Sequence, residues 1–274
     1  MNSRVAIGQT VYCSARRLAE AVAGPFAGSR FPFRSVAGTA AAVFAVCSLA
    51  SSSACASEVV ALEPDRDNTL IEREDGSRSS GAGMFLFAGM NSDSTARRAL
   101  LAFDVLLPGD AVIDSVFLQI HVSRVNHESE EPLTVHRVLQ SWGEGASNAG
   151  EGGGGSPSQN GDATWIHRFY PDQEWSNPGG DFVATPSAEL STTGTGFYTF
   201  SGEALAADVR SWIENPETSH GWLIRGDETE PTTARRIDSR EHTDTQMRPK
   251  LIIYFTPTVR PVVESSWGRV KARF

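Results

Sequence analysis

Cysteine is scarce in this chain, and its placement limits the chemistry available to the protein. The 274 residues include 3 cysteines, Cys13, Cys47 and Cys55, and all of them precede the point at which we expect a leader peptide to be removed. The remaining chain would then have neither disulfide bonds nor a cysteine nucleophile. Its stability must therefore come from an apolar core or from bound ions.

Long apolar runs are also missing. The run from Val36 to Ala50 is too short to span a membrane. It follows basic Arg30 and Arg34 and precedes Ala54-Cys55-Ala56, an order typical of a secretory signal peptide. We therefore expect residues 1–56 to be a signal peptide, cleaved after Ala56, and the mature protein to be secreted or held at the cell surface without membrane insertion.

Two alternatives to this interpretation stay open. The head of the leader is long, so either the n-region is extended or the true start codon lies downstream. Lipid attachment at Cys55 would instead anchor the protein, although the preceding Ser52-Ser53-Ala54 lacks the leucine usually found three residues before such a cysteine.

Basic residues are fewer than acidic residues in this chain. The leader holds five of the 24 basic residues and one of the 33 acidic residues, which leaves 19 and 32 in the mature chain, a net charge of −13. Such a protein is a poor candidate for binding nucleic acid or an anionic membrane. Acid-rich loops could instead hold a structural calcium ion, and Asp65, Asp67, Asp162 and Asp181 are the candidates, with turn carboxylates as the alternative.

Catalytic motifs are absent as well. The six histidines show no metal-ligand spacing, no Gly-x-Ser-x-Gly elbow occurs, and the scattered acids single out no carboxylate pair. The sequence therefore predicts no catalytic residue, and the protein is not expected to be an enzyme.

What the chain has in abundance is strand signals separated by turn residues. "SVFLQIHV" (Ser115 to Val122) alternates apolar and polar side chains, as a half-buried strand does. Seven further segments are predicted strands: 84–89, 98–105, 133–139, 196–202, 221–226, 234–240 and 249–256. This pattern predicts an all-β protein, an antiparallel β-sandwich of jelly-roll type.

One helix is predicted after Ser201. Leu205, Val209 and Trp212 form one apolar stripe, Ser201 is the expected N-cap, and Asn215-Pro216 ends the run. Because a short helix gains little stability alone, we expect this stripe to dock over an open end of the sandwich.

Aromatic residues around a glycine-rich tract are candidates for sugar binding, since flat rings cover the apolar faces of pyranoses. Trp165, Tyr170 and Trp175 would form the platform, and the polar neighbours of Trp175 predict that it is exposed. For Trp142 and Trp165, packing into the core is the favoured alternative.

Arginines offer a second means of recognition, because a guanidinium grips a uronate or sulfate in bidentate fashion. Arg98, Arg225 and Arg240 are the candidate ligand-binding residues, and Arg97, Arg235, Arg236 and Arg248 also lie on or beside predicted strands. They could line a basic groove, or they could form internal ion pairs that hold the sheets in register.

Five blocks of the sequence resemble a known family. They are "RRALLAFDV", "DAVIDSVFLQIHV", "LTVHRVLQSWGEG", "GWLIRGDE" and "DSREHTDTQMRPKLIIYF". In this order they resemble the secreted DNRLRE-domain proteins, also called carbohydrate-binding module family 96. The resemblance implies one jelly-roll-like domain over residues 57–256, followed by a tail at 257–274. It also implies binding of polysaccharide, which is acidic in some members.

The same resemblance bears on the tract between Gly143 and Gly161, in which eight residues are glycine. Members of that family resemble this chain in the order of their motifs, with "SW.EG", then a variable tract, then "TW", all within a single domain. The tract is therefore expected to be a long internal loop, with little apolar surface to bury and considerable mobility.

Together these observations predict a secreted, non-catalytic carbohydrate-binding or cell-surface matrix module whose partner is an extracellular polysaccharide. A structural surface protein without a specific glycan is the first alternative. A polysaccharide lyase or hydrolase is the second.

Overall fold

The computed structural model describes residues 56–108 and 110–258. The predicted signal peptide up to residue 55, and the predicted tail beyond residue 258, lie outside the described residues. Within them, no helix has the length and hydropathy needed to cross a lipid bilayer.

The described residues are mostly strand, which confirms the predicted fold class. The strands are β1 (Glu58–Leu62), β2 (Arg66–Ile71), β3 (Arg78–Ser79), β4 (Phe85–Met90), β5 (Ala96–Ala102), β6 (Ala111–Arg124), β7 (Glu131–Arg137), β8 (Ser156–Pro157), β9 (His167–Phe169), β10 (Gln173–Glu174), β11 (Ala188–Thr192), β12 (Gly196–Ser201), β13 (Trp222–Arg225), β14 (Arg235–Asp238) and β15 (Lys250–Pro257). Helix α1 (Glu203–Glu214) and a 3₁₀ turn (Pro216–Thr218) lie between β12 and β13.

The strands form two antiparallel sheets that share one strand. The first sheet contains β1, β15, β6, β12, β14 and β4, and the second contains β4, β5, β2, β13, β7 and β11. Strand β4 pairs with β14 through residues 85–88 and with β5 through Gly89 and Met90. Gly89 has φ 114°, and a Cβ atom there would lie 2.9 Å from the Cα of Ala234, so only glycine fits where the chain crosses between sheets.

The main core lies between the sheets. On β6 the side chains of Val116, Leu118, Ile120 and Val122 point inward and are buried, as the alternation predicts. They pack against residues of the second sheet such as Leu101, Val135, Trp222 and Ile224.

Helix α1 adds its apolar stripe to this core. Leu205, Val209 and Trp212 are buried, and the helix ends before Asn215, as predicted. The predicted cap is wrong: the N-cap is Gly202, and no side chain caps the helix. Ser201 is instead the last residue of β12, where it pairs with Phe117, and the helix begins two residues later, at Glu203.

A second apolar cluster lies on the outer face of the second sheet. Leu100 of β5 and Leu223 of β13 point away from the main core and pack against Trp142, Trp165 and Trp175. These tryptophans belong to the covering segment, residues 138–182, which leaves and rejoins the sheet at the bridge between Val138 and Phe182. The covering segment is therefore an excursion between β7 and β11, which pair directly with each other.

Backbone hydrogen bonds hold the glycine-rich part of the covering segment. Strand β8 pairs with β3, and the buried carboxylate of Asp162 accepts hydrogen bonds from the N–H groups of Ala146, Ser147 and Gln159. The tract buries little side-chain surface, as predicted, but its ends are tied to the sandwich.

The main core yields a prediction at Trp222. This side chain is fully buried, lies 4.4 Å from the Trp212 ring centroid, and donates a hydrogen bond of 2.8 Å to Asp208. Trp222→Ala should therefore lower the free energy of unfolding by about 3–5 kcal/mol, measured by urea denaturation. Leu106→Ala is the control, because Leu106 is 74% exposed and should change stability by less than about 0.5 kcal/mol. Equal losses in the two variants would contradict the assigned core.

Candidate functional site

The prediction that Trp175 is exposed, as part of an aromatic platform on the covering segment, is wrong. Trp175 is only 5% exposed, and its indole N–H donates to the carbonyl oxygen of Thr164 at 3.0 Å. The β9–β10 hairpin folds back over the second sheet, which turns Trp175 inward and leaves its neighbours Gln173 and Glu174 exposed. Burial of an apolar ring on an otherwise bare sheet outweighs the polar character of the residues beside it.

The other predicted aromatics also serve the fold. Trp142 and Trp165 are buried, in agreement with the core-packing alternative. The Trp142 indole donates to the carbonyl of His220 at 2.8 Å. Tyr170 is half-buried, with its ring edge against His167.

Two of the three predicted arginines share one acidic partner. Arg98 binds Glu228 with both prongs of its guanidinium, at 2.7 and 2.8 Å, and Arg225 binds the same carboxylate at 2.9 Å. Arg98 also donates to the carbonyl of Gly179 and lies over the Trp165 ring at 4.6 Å from its centroid. The pairing with Glu228 corresponds to the structural alternative, an internal ion pair, and the contacts with Gly179 and Trp165 join Arg98 to the covering segment.

The third predicted arginine lies in another cluster. Arg240 bridges Glu144 and Glu241, with N···O distances of 2.7 and 2.8 Å. Arg235 and Arg248 are likewise engaged, the first with Thr192 and the second with Glu63. The guanidinium groups of Arg235, Arg240 and Arg248 are therefore already engaged by partners within the protein.

Two arginines lie side by side on the outer face of the first sheet: Arg236, which the sequence singled out, and Arg124, which it did not. Arg236 lies opposite Phe87 of β4 and opposite Arg124 of β6 in the strand register, so the three side chains form one row across adjacent strands. The Arg236 guanidinium stacks on the Phe85 ring, 3.9 Å from its centroid. Arg124 is exposed and has no salt bridge to any described residue.

This row forms one wall of a cavity of about 460 Å³, which we call the arginine groove. Arg97 lies at its floor and is fully buried. The other lining residues are Phe87, Asn91, Ser92, Asp93, Arg124, Asn126, Glu151, Gly152, Gly153, Gly154, Thr232, Ala234 and Arg236.

Arg97 is only partly satisfied by the protein. Its Nε donates to the Gly153 carbonyl at 2.6 Å and its Nη1 to Thr95 and Ala96, but its buried Nη2 has no hydrogen-bond partner. Burial lowers the pKa of Arg97 to about 10, so the group stays charged at neutral pH. An uncompensated buried donor of this kind is costly.

The carboxylates of the groove do not cancel its positive charge. Asp93 and Glu151 are exposed, and Glu151 is 3.9 Å from Arg236, a distance too long for a hydrogen bond. Three guanidinium groups thus face two solvated carboxylates, on a chain whose overall charge is strongly negative.

Exposed aromatics continue along the same sheet face. Phe197 and Tyr254 are 50% and 42% exposed. Phe197 lies against His121, with ring centroids 4.7 Å apart, and Tyr254 meets Phe117 edge to face at 5.9 Å. Along β6, this face is about 23 Å long between Phe117 and Arg124, at roughly 3.3 Å per strand residue.

The fold also assembles two clusters that spacing in the sequence did not reveal. His121 contacts the buried carboxylate of Asp238 at 2.6 Å, and His242 approaches the same carboxylate at 3.8 Å. Asp67, Glu144 and Glu241 form the second cluster, in which one ligand oxygen from each lies within 4.8 Å of the others. Of the four acids considered for calcium, Asp162 and Asp181 accept backbone N–H groups of their own loops, which is the turn role.

Comparison with known proteins adds no assignment. No model of a known protein family matches the chain, and no curated protein is significantly similar to it. The resemblance to the DNRLRE family therefore stays an expectation that depends on the five sequence blocks.

The pairing of Arg98 generates the next prediction. Arg98→Ala should lower the free energy of unfolding by about 1.5–3 kcal/mol, because Glu228, whose side chain is 9% exposed, would keep Arg225 but lose its bidentate partner. Arg210→Ala, which breaks a pair with the 80% exposed Glu203, should cost less than about 1 kcal/mol. Urea denaturation measures both. If Arg98→Ala is as stable as the control, Arg98 is not structural and returns to the ligand-binding candidates.

Proposed function

We propose that this protein is an exported, non-catalytic module that binds an acidic polysaccharide along the outer face of its first sheet. The observation that carries the proposal is the arginine groove, in which three guanidinium groups converge on a strongly acidic protein. The ligand-binding residues are then Arg97, Arg124 and Arg236, with Phe87 beside them, in place of Arg98, Arg225 and Arg240.

Anion binding follows from the state of the three guanidinium groups. Arg97 has a buried Nη2 without a partner, and Arg124 is exposed without a salt bridge among the described residues. Arg236 is held in place by the Phe85 ring and by its hydrogen bond to Ser123. A carboxylate or sulfate can accept hydrogen bonds from the Arg124 and Arg236 guanidinium groups. The contacts of Arg236 with Phe85 and Ser123 position its group in advance, which limits the side-chain entropy lost on binding.

Binding of a sugar polymer follows from the shape and composition of the face. Phe87, Phe197 and Tyr254 offer partly exposed rings, which suit the apolar faces of pyranoses, and Asn91 and Asn126 offer amides for hydroxyl groups. A face of about 23 Å is longer than a single monosaccharide requires. The groove and the aromatics together therefore favour a chain of sugars.

A smaller cavity of about 290 Å³ next to Arg98 is a weaker candidate. Its only arginine already holds Glu228 with both prongs. Export, the DNRLRE family and a cell-surface location belong to the same proposal, and they depend on the leader and on the five sequence blocks.

Affinity electrophoresis tests the site. In native gels that contain a polyuronate, a sulfated polysaccharide or a neutral polysaccharide, the protein should be retarded by an acidic polymer. The net negative charge of the chain opposes nonspecific attraction to a polyanion, so retardation would favour binding at a local site. Arg124→Ala should weaken retardation about tenfold or more, since a hydrogen bond to a charged group contributes about 1.5–3 kcal/mol.

The matched control is Arg210→Ala, an arginine on α1 outside the groove, which should bind like the unaltered protein. Equal weakening in both variants would reject the groove. Absence of retardation by every polymer would favour a structural surface protein. New reducing or unsaturated ends in the mixtures would indicate an enzyme, and the His121–Asp238 pair would then be the first place to look for a general base.

The aromatic part of the face makes a separate prediction. Phe197→Ala should weaken binding of long chains more than binding of short oligosaccharides, because only a long chain reaches from the groove to β12. Isothermal titration calorimetry with oligosaccharides of increasing length measures the difference. Leu139→Ala is the control, since Leu139 is 51% exposed, like Phe197, but borders the smaller cavity. A loss that is the same for every chain length would show that binding stays within the groove.

A further inference from the structure

Three carboxylates meet where distant parts of the chain come together. Asp67 belongs to β2, Glu144 to the start of the covering segment, and Glu241 to the connection between β14 and β15. One oxygen from each lies within 4.8 Å of the other two. Asp67 is fully buried and the two glutamates are half-buried, so water screens their mutual repulsion only weakly.

Local hydrogen bonds satisfy this cluster incompletely. One oxygen of Asp67 accepts from the backbone N–H of Arg240 at 2.7 Å. The other, Oδ1, is buried and has no hydrogen-bond partner. An orphaned carboxylate oxygen in the interior is rare, and a bound ion is one of the recognised reasons for it.

The charge of the cluster is also unbalanced. The Arg240 guanidinium pairs with Glu144 and Glu241 and compensates one of the three negative charges. Asp67 receives only the backbone N–H of Arg240. With all three carboxylates ionised, as metal ligands are, two negative charges are left over, which one divalent cation would balance.

We propose that Asp67, Glu144 and Glu241 bind one calcium ion, with Asp67 Oδ1 as its buried ligand atom. The donors are all oxygens, which calcium prefers, and carboxylates can bind it through one or two oxygens as the space allows. The ion would join β2, the covering segment and the β14–β15 connection, three segments far apart in the sequence. Its role is structural, and it is independent of polysaccharide binding.

Calorimetry on the purified protein, first dialysed against EDTA, tests the site with CaCl₂ as the only added ligand. We expect one calcium ion per chain, and thermal unfolding several degrees higher in excess CaCl₂ than in EDTA. Asp67→Asn and Glu241→Gln should each weaken binding by more than about tenfold and abolish the calcium-dependent rise. Asp172→Asn and Glu174→Gln remove one exposed carboxylate of each type and should bind calcium like the unaltered protein.

Three results would overturn the proposal. The first is the absence of calcium binding at millimolar concentration. The second is unchanged binding in Asp67→Asn, which would mean that Asp67 is a buried carboxylic acid beside the Arg240 bridge. The third is tighter binding of MgCl₂ than of CaCl₂ in the same titration, which would reject the assigned ion.

Discussion

Central strands that are apolar on both faces are the constraint from which most of this structure follows. Leu100 and Leu101 are adjacent in β5, and both are fully buried, one against the covering segment and the other in the main core. Leu223 and Ile224 repeat the arrangement in β13. Because each exposed leucine would forgo roughly 1.5–3 kcal/mol, the outer face of the second sheet must be covered. The covering segment meets that requirement, and its three tryptophans are therefore inside.

The same constraint separates two populations of arginine. Arg98, on the covered sheet, is partly buried and is paired with Glu228, which offsets the cost of its desolvation. No segment among the described residues covers most of the outer face of the first sheet. Arg124 and Arg236 can therefore remain available there, and the glycine-rich tract closes one side of the groove by placing Gly153 against Phe87 and Arg97. The groove is therefore a local group of positive charges on an otherwise acidic protein.

Much of the fold could be predicted because strand and helix periodicities are local signals. The alternation in Ser115 to Val122 and the stripe through Leu205, Val209 and Trp212 specify which side chains face inward, and the structure agrees. The N-cap could not be predicted from the local pattern, because β12 pairs with β6 as far as Ser201 and the helix begins only after Gly202. For Trp175 the polar neighbours indicated exposure, but a hairpin that docks on a bare sheet reverses that expectation.

The sequence by itself determined the class of structure, the burial of the apolar faces and the pool of arginines from which a ligand site could be built. Only the tertiary structure decided which arginines are free, because pairing depends on acids that lie far away in the chain, such as Glu228 for Arg98, 130 residues apart. It also decided that Asp67, Glu144 and Glu241 share one interior point. Contacts between such distant residues depend on the register of the sheets and on how the loops dock. Both result from long-range packing, which a local sequence pattern does not reveal.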